Sequence, residues 1–188
     1  MTFASSTDIE TYTSDPGLQN STLLGDAQFV CLNSQYPTRC PAGATLYGWP
    51  LGGWSADLSS IPRANWIWAP NITGQTSPAE YNQFYFSRTI HLSGSPISGS
   101  ISIAVDDFAE AFLNGHAVGS TGSITDYAAA VASQSNLVTF NLTPFLVAGN
   151  NVLTIFAENG PFGHCCPSSY SGNTAGVVFG GTIIFENS

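Results

Sequence analysis

Lysine is missing from this 188-residue chain, and arginine occurs three times, against twelve acids, three histidines and a formal net charge of -9. Binding to a phosphate backbone depends on clustered Lys and Arg, so nucleic acid is excluded as a partner. Only 8% of residues are charged. Ser, Thr, Asn, Gln and Gly must therefore dominate the surface, a neutral polar skin suited to an extracellular protein whose partners are neutral and rich in hydroxyls. Long apolar runs are also lacking: none approaches the roughly 18 residues a membrane helix needs, so no membrane insertion is expected. The opening Met1-Thr2-Phe3-Ala4 has neither a basic stretch nor an apolar one, and no signal peptide is expected there.

Catalytic signatures are absent as well. The chain has no Gly-x-Ser-x-Gly elbow, no His-Glu-x-x-His and no phosphate-cradling glycine loop. Adjacent acids on a strand project to opposite faces, so Asp106 and Asp107 are not expected to form the facing carboxylate pair of a glycosidase. The expectation is a binding protein, not an enzyme.

What is present is apolar (43%) and aromatic (12%), enough for the core of one domain. Residues 1–63 are rich in Ser, Thr, Gly and Pro and read as an irregular segment packed on the domain; residues 64–188 read as a sandwich. Short strands are expected at 65–69, 82–92, 98–105, 108–114, 117–119, 137–142, 151–158 and 176–186. Turn signals separate them, including Asn114-Gly115 and Ala148-Gly149-Asn150. Ile101, Ile103 and Val105 alternate cleanly, as do Val138, Phe140 and Leu142, and Val177, Phe179, Ile183 and Phe185. The best helical segment, 127–133, is one or two turns long. Many short strands with Gly, Pro and Asn turns give an all-β sandwich. Arg88 shares the parity of Phe84, Phe86, Ile90 and Leu92, so it either marks a bulge or points inward and pairs with an acid. Trp66 and Trp68 open the first strong strand and read as core.

Four cysteines allow three pairings, and Cys165 with Cys166 would need a strained vicinal ring. Each of those two is expected to bond to Cys31 or Cys40, tying the N-terminal segment to a late loop; a zinc site using His164 finds no tight ligand spacing. Disulfides imply an oxidising compartment. Asn20-Ser21-Thr22, Asn71-Ile72-Thr73 and Asn141-Leu142-Thr143 are glycosylation sequons, so a secreted or surface glycoprotein is expected.

Consecutive strands that alternate in direction bring every second connection to one end. The Asp106-Asp107 turn, the loop from 120 to 136, the loop from 159 to 175 and the loop from 70 to 81 should then converge. The Asn114-Gly115-His116 hairpin and residues 143–150 should gather at the other end. The first end offers Asp107, Asp126, Tyr127, Asn159, Phe162, His164 and Tyr170 as candidate ligand contacts. Asp106, Asp107 and Asp126 are the candidate ligands for calcium, which takes six to eight oxygens. A sugar needs hydrogen-bonding groups beside an aromatic face, which Tyr127, Phe162, Tyr170 or an N-terminal tryptophan can supply. The bland alternative is that Asp106 and Asp107 only hold a turn through backbone N–H groups.

The order of motifs resembles a known module. Trp66-Ile67-Trp68, then Phe84 to Ile90, then Ala104-Val105-Asp106-Asp107 with Phe112-Leu113-Asn114-Gly115, then Asn141 to Leu146 and Gly149 to Val152, is similar to the galactose-binding-domain-like jelly roll over residues 64–186. That resemblance implies a β-sandwich that often carries calcium and binds sugar among its loops, as in carbohydrate-binding modules and sugar-binding domains of glycoside hydrolases. The Asp pair also resembles the calcium- and sugar-binding device of PA14-like fungal adhesins, and the composition resembles a fungal cell-surface protein. The expected function is therefore a secreted lectin or adhesin domain, attached to the cell wall or cell surface, that binds a glycan with calcium. The alternatives are a structural or protein-binding module of a cell wall or spore coat and an accessory domain of a glycoside hydrolase.

Overall fold

Strands begin well before the alternation in the sequence announces them. The computed structural model describes residues 1–48, 53–163 and 169–186. Where the first 63 residues were expected to be irregular, five strands appear: β1 (Thr2–Ala4), β2 (Glu10–Tyr12), β3 (Leu23–Asp26), β4 (Gln28–Leu32) and β5 (Thr45–Tyr47). None exceeds five residues, too short for a period-two pattern to stand out. They join the sheets: β1 pairs with the last strand, β2 with the strand over 83–92, and β4 with the strand at 67–68.

The later strands fall where alternation places them. They are β6 (Ile67–Trp68), β7 (Gln83–Leu92), β8 (Pro96–Asp106), β9 (Phe108–Leu113), β10 (His116–Gly122), β11 (Val138–Asn141), β12 (Gly149–Glu158) and β13 (Gly176–Phe185). Among the described residues one α-helix, α1 (Tyr127–Ser135), lies between β10 and β11. The strands form two sheets. One runs β11-β8-β13-β6-β4-β5 with β1 added beside β13; the other runs β10-β9-β12-β7-β2-β3. The fold is an all-β sandwich, in agreement with the galactose-binding-like resemblance.

Ile101, Ile103 and Val105 of β8 and Val177, Phe179 and Ile183 of β13 are buried on one sheet; Ala109, Ala111 and Leu113 of β9 and Leu153, Ile155 and Ala157 of β12 are buried on the other. Each large aliphatic or aromatic side chain removed from water contributes about 1.5–3 kcal/mol before entropy is charged against it. Trp66 and Trp68 are core, as expected; Trp68 packs edge-on to Phe84. At Arg88 the β7–β12 register continues without a bulge, and the guanidinium pairs with Asp8 at 3.1 Å while donating to the Ala4 carbonyl.

Both ends of the sandwich assemble as strand direction requires. At one, Asn114 donates to the Phe145 carbonyl and the His116 ring stacks on Phe145. At the other, Asp107, Asn159, Gln134 and Ala79 come together.

The cysteines depart from expectation. Cys31 bonds to Cys40, with Cα atoms 5.7 Å apart. Cys31 ends up close to Cys40 because β4 leads through a short 3-10 turn at Asn33–Gln35 and the chain folds back at once to form parallel β5. The bridge closes a local loop and does not tie the N-terminal segment to the late loop. Cys165, Cys166 and His164 lie outside the described residues. The sequon asparagines Asn20, Asn71 and Asn141 are all exposed.

Candidate functional site

Asp106 is the last residue of β8, and Asp107 lies between β8 and β9. The peptide bond joining them is cis. Asp107 sits outside both strands, where the alternation rule does not hold. The two carboxyls consequently do not diverge to opposite faces: both line one cavity, and the Gln134 side-chain amide donates to each, at 2.7 Å to Asp106 and 3.5 Å to Asp107. The turn itself is anchored by backbone bonds, Asp107 N–H to the Glu158 carbonyl and Ser123 N–H to the Asp107 carbonyl. Buried Ser133 of α1 adds bonds to the carbonyls of Val105 and Asp107.

The carboxyls are held by neutral donors from distant parts of the chain. Asp106 Oδ2 accepts from the Trp54 indole Nε1 at 2.9 Å and from Thr174 Oγ1 at 2.8 Å. Asp107 Oδ2 accepts from the Gly160 N–H at 2.9 Å. Gly160 is fixed in turn: Asn173 donates to its carbonyl, and Asn159 donates to the carbonyls of Ala79 and Asn173. Trp54 stacks on Trp66 with centroids 4.5 Å apart, which sets the indole edge toward the acids.

Asp106 is 4% and Asp107 1% exposed. Burial first, and then the neighbouring charge of Asp107, pushes the Asp106 carboxyl well above the ordinary aspartate range. Burial also raises Asp107, against hydrogen bonds from Asp106, Gly160 and Gln134 that favour its charged form. Desolvated carboxylates are costly unless paired or protonated. Among the described residues the one ion pair is Arg88 with Asp8, and no arginine lines this cavity. Two buried acids without a cationic side chain need a proton or an ion.

The cavity encloses about 410 Å³. Tyr127 and Phe162 form an aromatic wall, packed edge-on with centroids 5.6 Å apart. Asn173, Thr174 and Ser55 add polar groups, and Leu32 and Val131 add apolar ones.

The sequence-derived candidates divide accordingly. Asp106, Asp107, Tyr127 and Phe162 line the cavity; Asn159 lies just behind it, fully buried, with its side-chain oxygen lacking a hydrogen-bond partner. Asp126 does not line it: its carboxylate caps α1 by accepting from the N–H groups of Ala128 and Ala129. Tyr170 is buried in the core, stacked on Tyr47, its hydroxyl accepting from Trp68 and Asn82. The aromatic that the N-terminal segment supplies is Trp54. Gln134, Asn173 and Thr174 were not anticipated. For Gln134 a signal existed: positions 127, 131 and 134 share one face of a helix, and all three line the cavity.

The donors suit a hard cation. Two carboxylates with amide and hydroxyl oxygens nearby are the ligand types calcium takes. No group of three or more Asp, Glu, His or Cys is found among the described residues, so the acid pair would hold such an ion with only two charged ligands.

No protein-family profile matches the chain, and no curated relative matches it by sequence. Solved structures do. An α-L-rhamnosidase from Streptomyces avermitilis, complexed with L-rhamnose, is 23% identical over 64% of this chain and 11% of its own, with a TM-score of 0.46. A lectin from Pleurotus ostreatus in complex with GalNAc is 16% identical over 65% of this chain and 31% of its own, TM-score 0.45. A β-galacturonidase from Eisenbergiella tayi is 14% identical over 96% of this chain and 24% of its own, TM-score 0.44. The chain thus spans between a tenth and a third of these proteins.

Proposed function

We propose that the cavity at Asp106 and Asp107 binds calcium and, beside it, a carbohydrate, and that the chain serves as a secreted or cell-surface lectin or adhesin domain that attaches to a glycan or glycosylated surface. One observation carries this reading: two buried carboxyls share a cavity that no cationic side chain lines among the described residues. Asp106 and Asp107 would hold the ion. With only two charged ligands, coordination positions remain for neutral oxygens, and sugar hydroxyls are such oxygens. When bound, calcium supplies the charge that neutralises the pair and attracts those hydroxyls.

The remaining chemistry belongs to the chain. Gln134, Trp54 and Thr174 fix Asp106. Gly160 fixes Asp107, so little ordering is left for the moment of binding. Tyr127 and Phe162 offer a surface to the apolar face of a sugar ring. Acids fixed by neutral donors in this way favour holding a ligand over turning one over. The Cys31–Cys40 bridge and exposed sequons support an oxidising, extracellular setting. A protein-binding role through exposed aromatics of the N-terminal segment has less support from Trp54, which is buried and spent on the cavity wall and on Asp106.

A thermal-shift scan tests the proposal. A ligand that binds only the native state, present at 100 times its Kd, adds about 2.7 kcal/mol. Calcium should raise the melting temperature of the parent chain and leave Asp107→Asn unmoved, and a simple sugar should add to the shift only with calcium present. No shift with millimolar calcium would overturn it.

A further inference from the structure

The outward face of the six-stranded sheet carries a second arrangement that the cavity does not use. Strand register sets Glu110 of β9, Phe156 of β12, Tyr85 of β7 and Tyr12 of β2 in one row across four strands. The Tyr85 and Phe156 rings lie 5.0 Å apart, and Phe108 packs against Phe156 at 6.2 Å. All four rings are partly exposed.

Acids surround these rings. Glu158 stands opposite Phe108 in the ladder, and the Glu10 carboxylate accepts from the Tyr12 hydroxyl at 2.8 Å. The Tyr85 phenol is pushed up by its burial and then by the charges of Asp15, Glu110 and Glu158. Among the described residues no lysine or arginine pairs with them. The chain has no lysine; Arg88 has the opposite parity to Tyr85 on β7 and pairs with Asp8, while Arg39 and Arg63 lie outside the strands of this sheet. Sheet-face backbone is consumed by the ladder, so a partner meets side chains, and around this row those are chiefly rings and carboxylates. An extended peptide would find no free strand edge to pair with here. A chain of sugar rings needs none: it stacks its apolar faces on aromatics, and free amines on it would meet the carboxylates and the negative faces of the rings.

We infer that this face docks a glycan bearing free amines, of the glucosamine-oligomer class, by ring stacking on Tyr85 and Phe156 and ammonium contacts to Glu110 and Glu158. The surface is independent of the calcium cavity.

The test is calorimetric titration of the full chain with a fully deacetylated β-1,4-glucosamine oligomer in EDTA, beside its N-acetylated counterpart and an arginine-rich peptide. The deacetylated oligomer should bind at least tenfold tighter than either. Tyr85→Leu, and Glu110→Gln combined with Glu158→Gln, should each weaken it at least tenfold with unchanged circular dichroism, while Asp57→Asn, remote from the face, should leave it unchanged. Three results would overturn the inference: no binding, equal or tighter binding of the acetylated oligomer or the peptide, or affinity that survives both the Tyr85 and the Glu substitutions. The last would reduce the effect to general attraction by a chain of net charge -9. Should Tyr85→Leu fail to fold, the Glu110 and Glu158 pair decides alone.

Discussion

The indole Nε1 of Trp54 donates a 2.9 Å hydrogen bond to Asp106 Oδ2, joining a residue of the N-terminal segment to the end of β8. Both partners are buried. Trp54→Phe keeps an aromatic ring to stack on Trp66 but leaves Asp106 short of a donor. Thr174 and Gln134 still donate to the carboxyl, so the expected loss is that of one hydrogen bond, about 1–3 kcal/mol of stability. Calcium affinity should fall with it, because the indole N–H favours the ionised carboxylate. Denaturant melts and calcium titration of this variant measure both.

Protonation of the acid pair gives stability a characteristic pH dependence. In the folded, calcium-free chain both carboxyls are raised above the ordinary aspartate value, chiefly by burial. The folded state therefore keeps protons that the unfolded chain has released, and the linkage slope is negative. At pH below the ordinary aspartate value the pair exacts no penalty. Stability should decline as pH rises from there until both carboxyls ionise in the folded chain, then level off. Denaturation midpoints in EDTA across a pH series would show the decline. Calcium should remove it, and Asp106→Asn should flatten it.

Gly122 sets the floor under Asp107. Its φ is +81°, and a Cβ added there would collide with the Asp107 carbonyl oxygen. Gly122→Ala combines a left-handed backbone with a clash against main chain that the Ser123 and Ser133 bonds hold in place. It should destabilise the fold by more than 1 kcal/mol and abolish the calcium-induced thermal shift.

The Cys31–Cys40 bridge is checked by peptide mapping. Trypsin cuts after Arg39, leaving peptides that end at Arg39 and begin at Cys40, and these should migrate as one species until reduced. Cys31→Ser with Cys40→Ser should cost about 2–3 kcal/mol, the loop-closure entropy of a ring this size.

Legibility in the sequence followed the range of the interactions. The strands from β7 to β13 announce themselves because alternation is local and each is bounded by turn residues. The five N-terminal strands do not, because three to five residues cannot display a period and their pairing partners lie far along the chain: Thr2 faces Thr182 in the ladder. At the site, the meeting of loops follows from strand direction alone, and Asp106, Asp107, Tyr127 and Phe162 were found that way. Asp126 and Tyr170 were misplaced for the opposite reason. An Asp just ahead of a helix is bound by its own backbone, and a tyrosine in a loop can turn inward to stack on Tyr47; neither outcome shows in loop membership. The convergence of Trp54, Thr174 and Gln134 on one carboxyl is a purely tertiary fact.

Glycan-array binding of the parent chain, measured in calcium and again in EDTA, bears most directly on the central claim. Discrete glycan signals in calcium that vanish in EDTA are the predicted result. An array blank in both conditions, or signals that persist undiminished in EDTA, would contradict a calcium-assisted sugar site at Asp106 and Asp107.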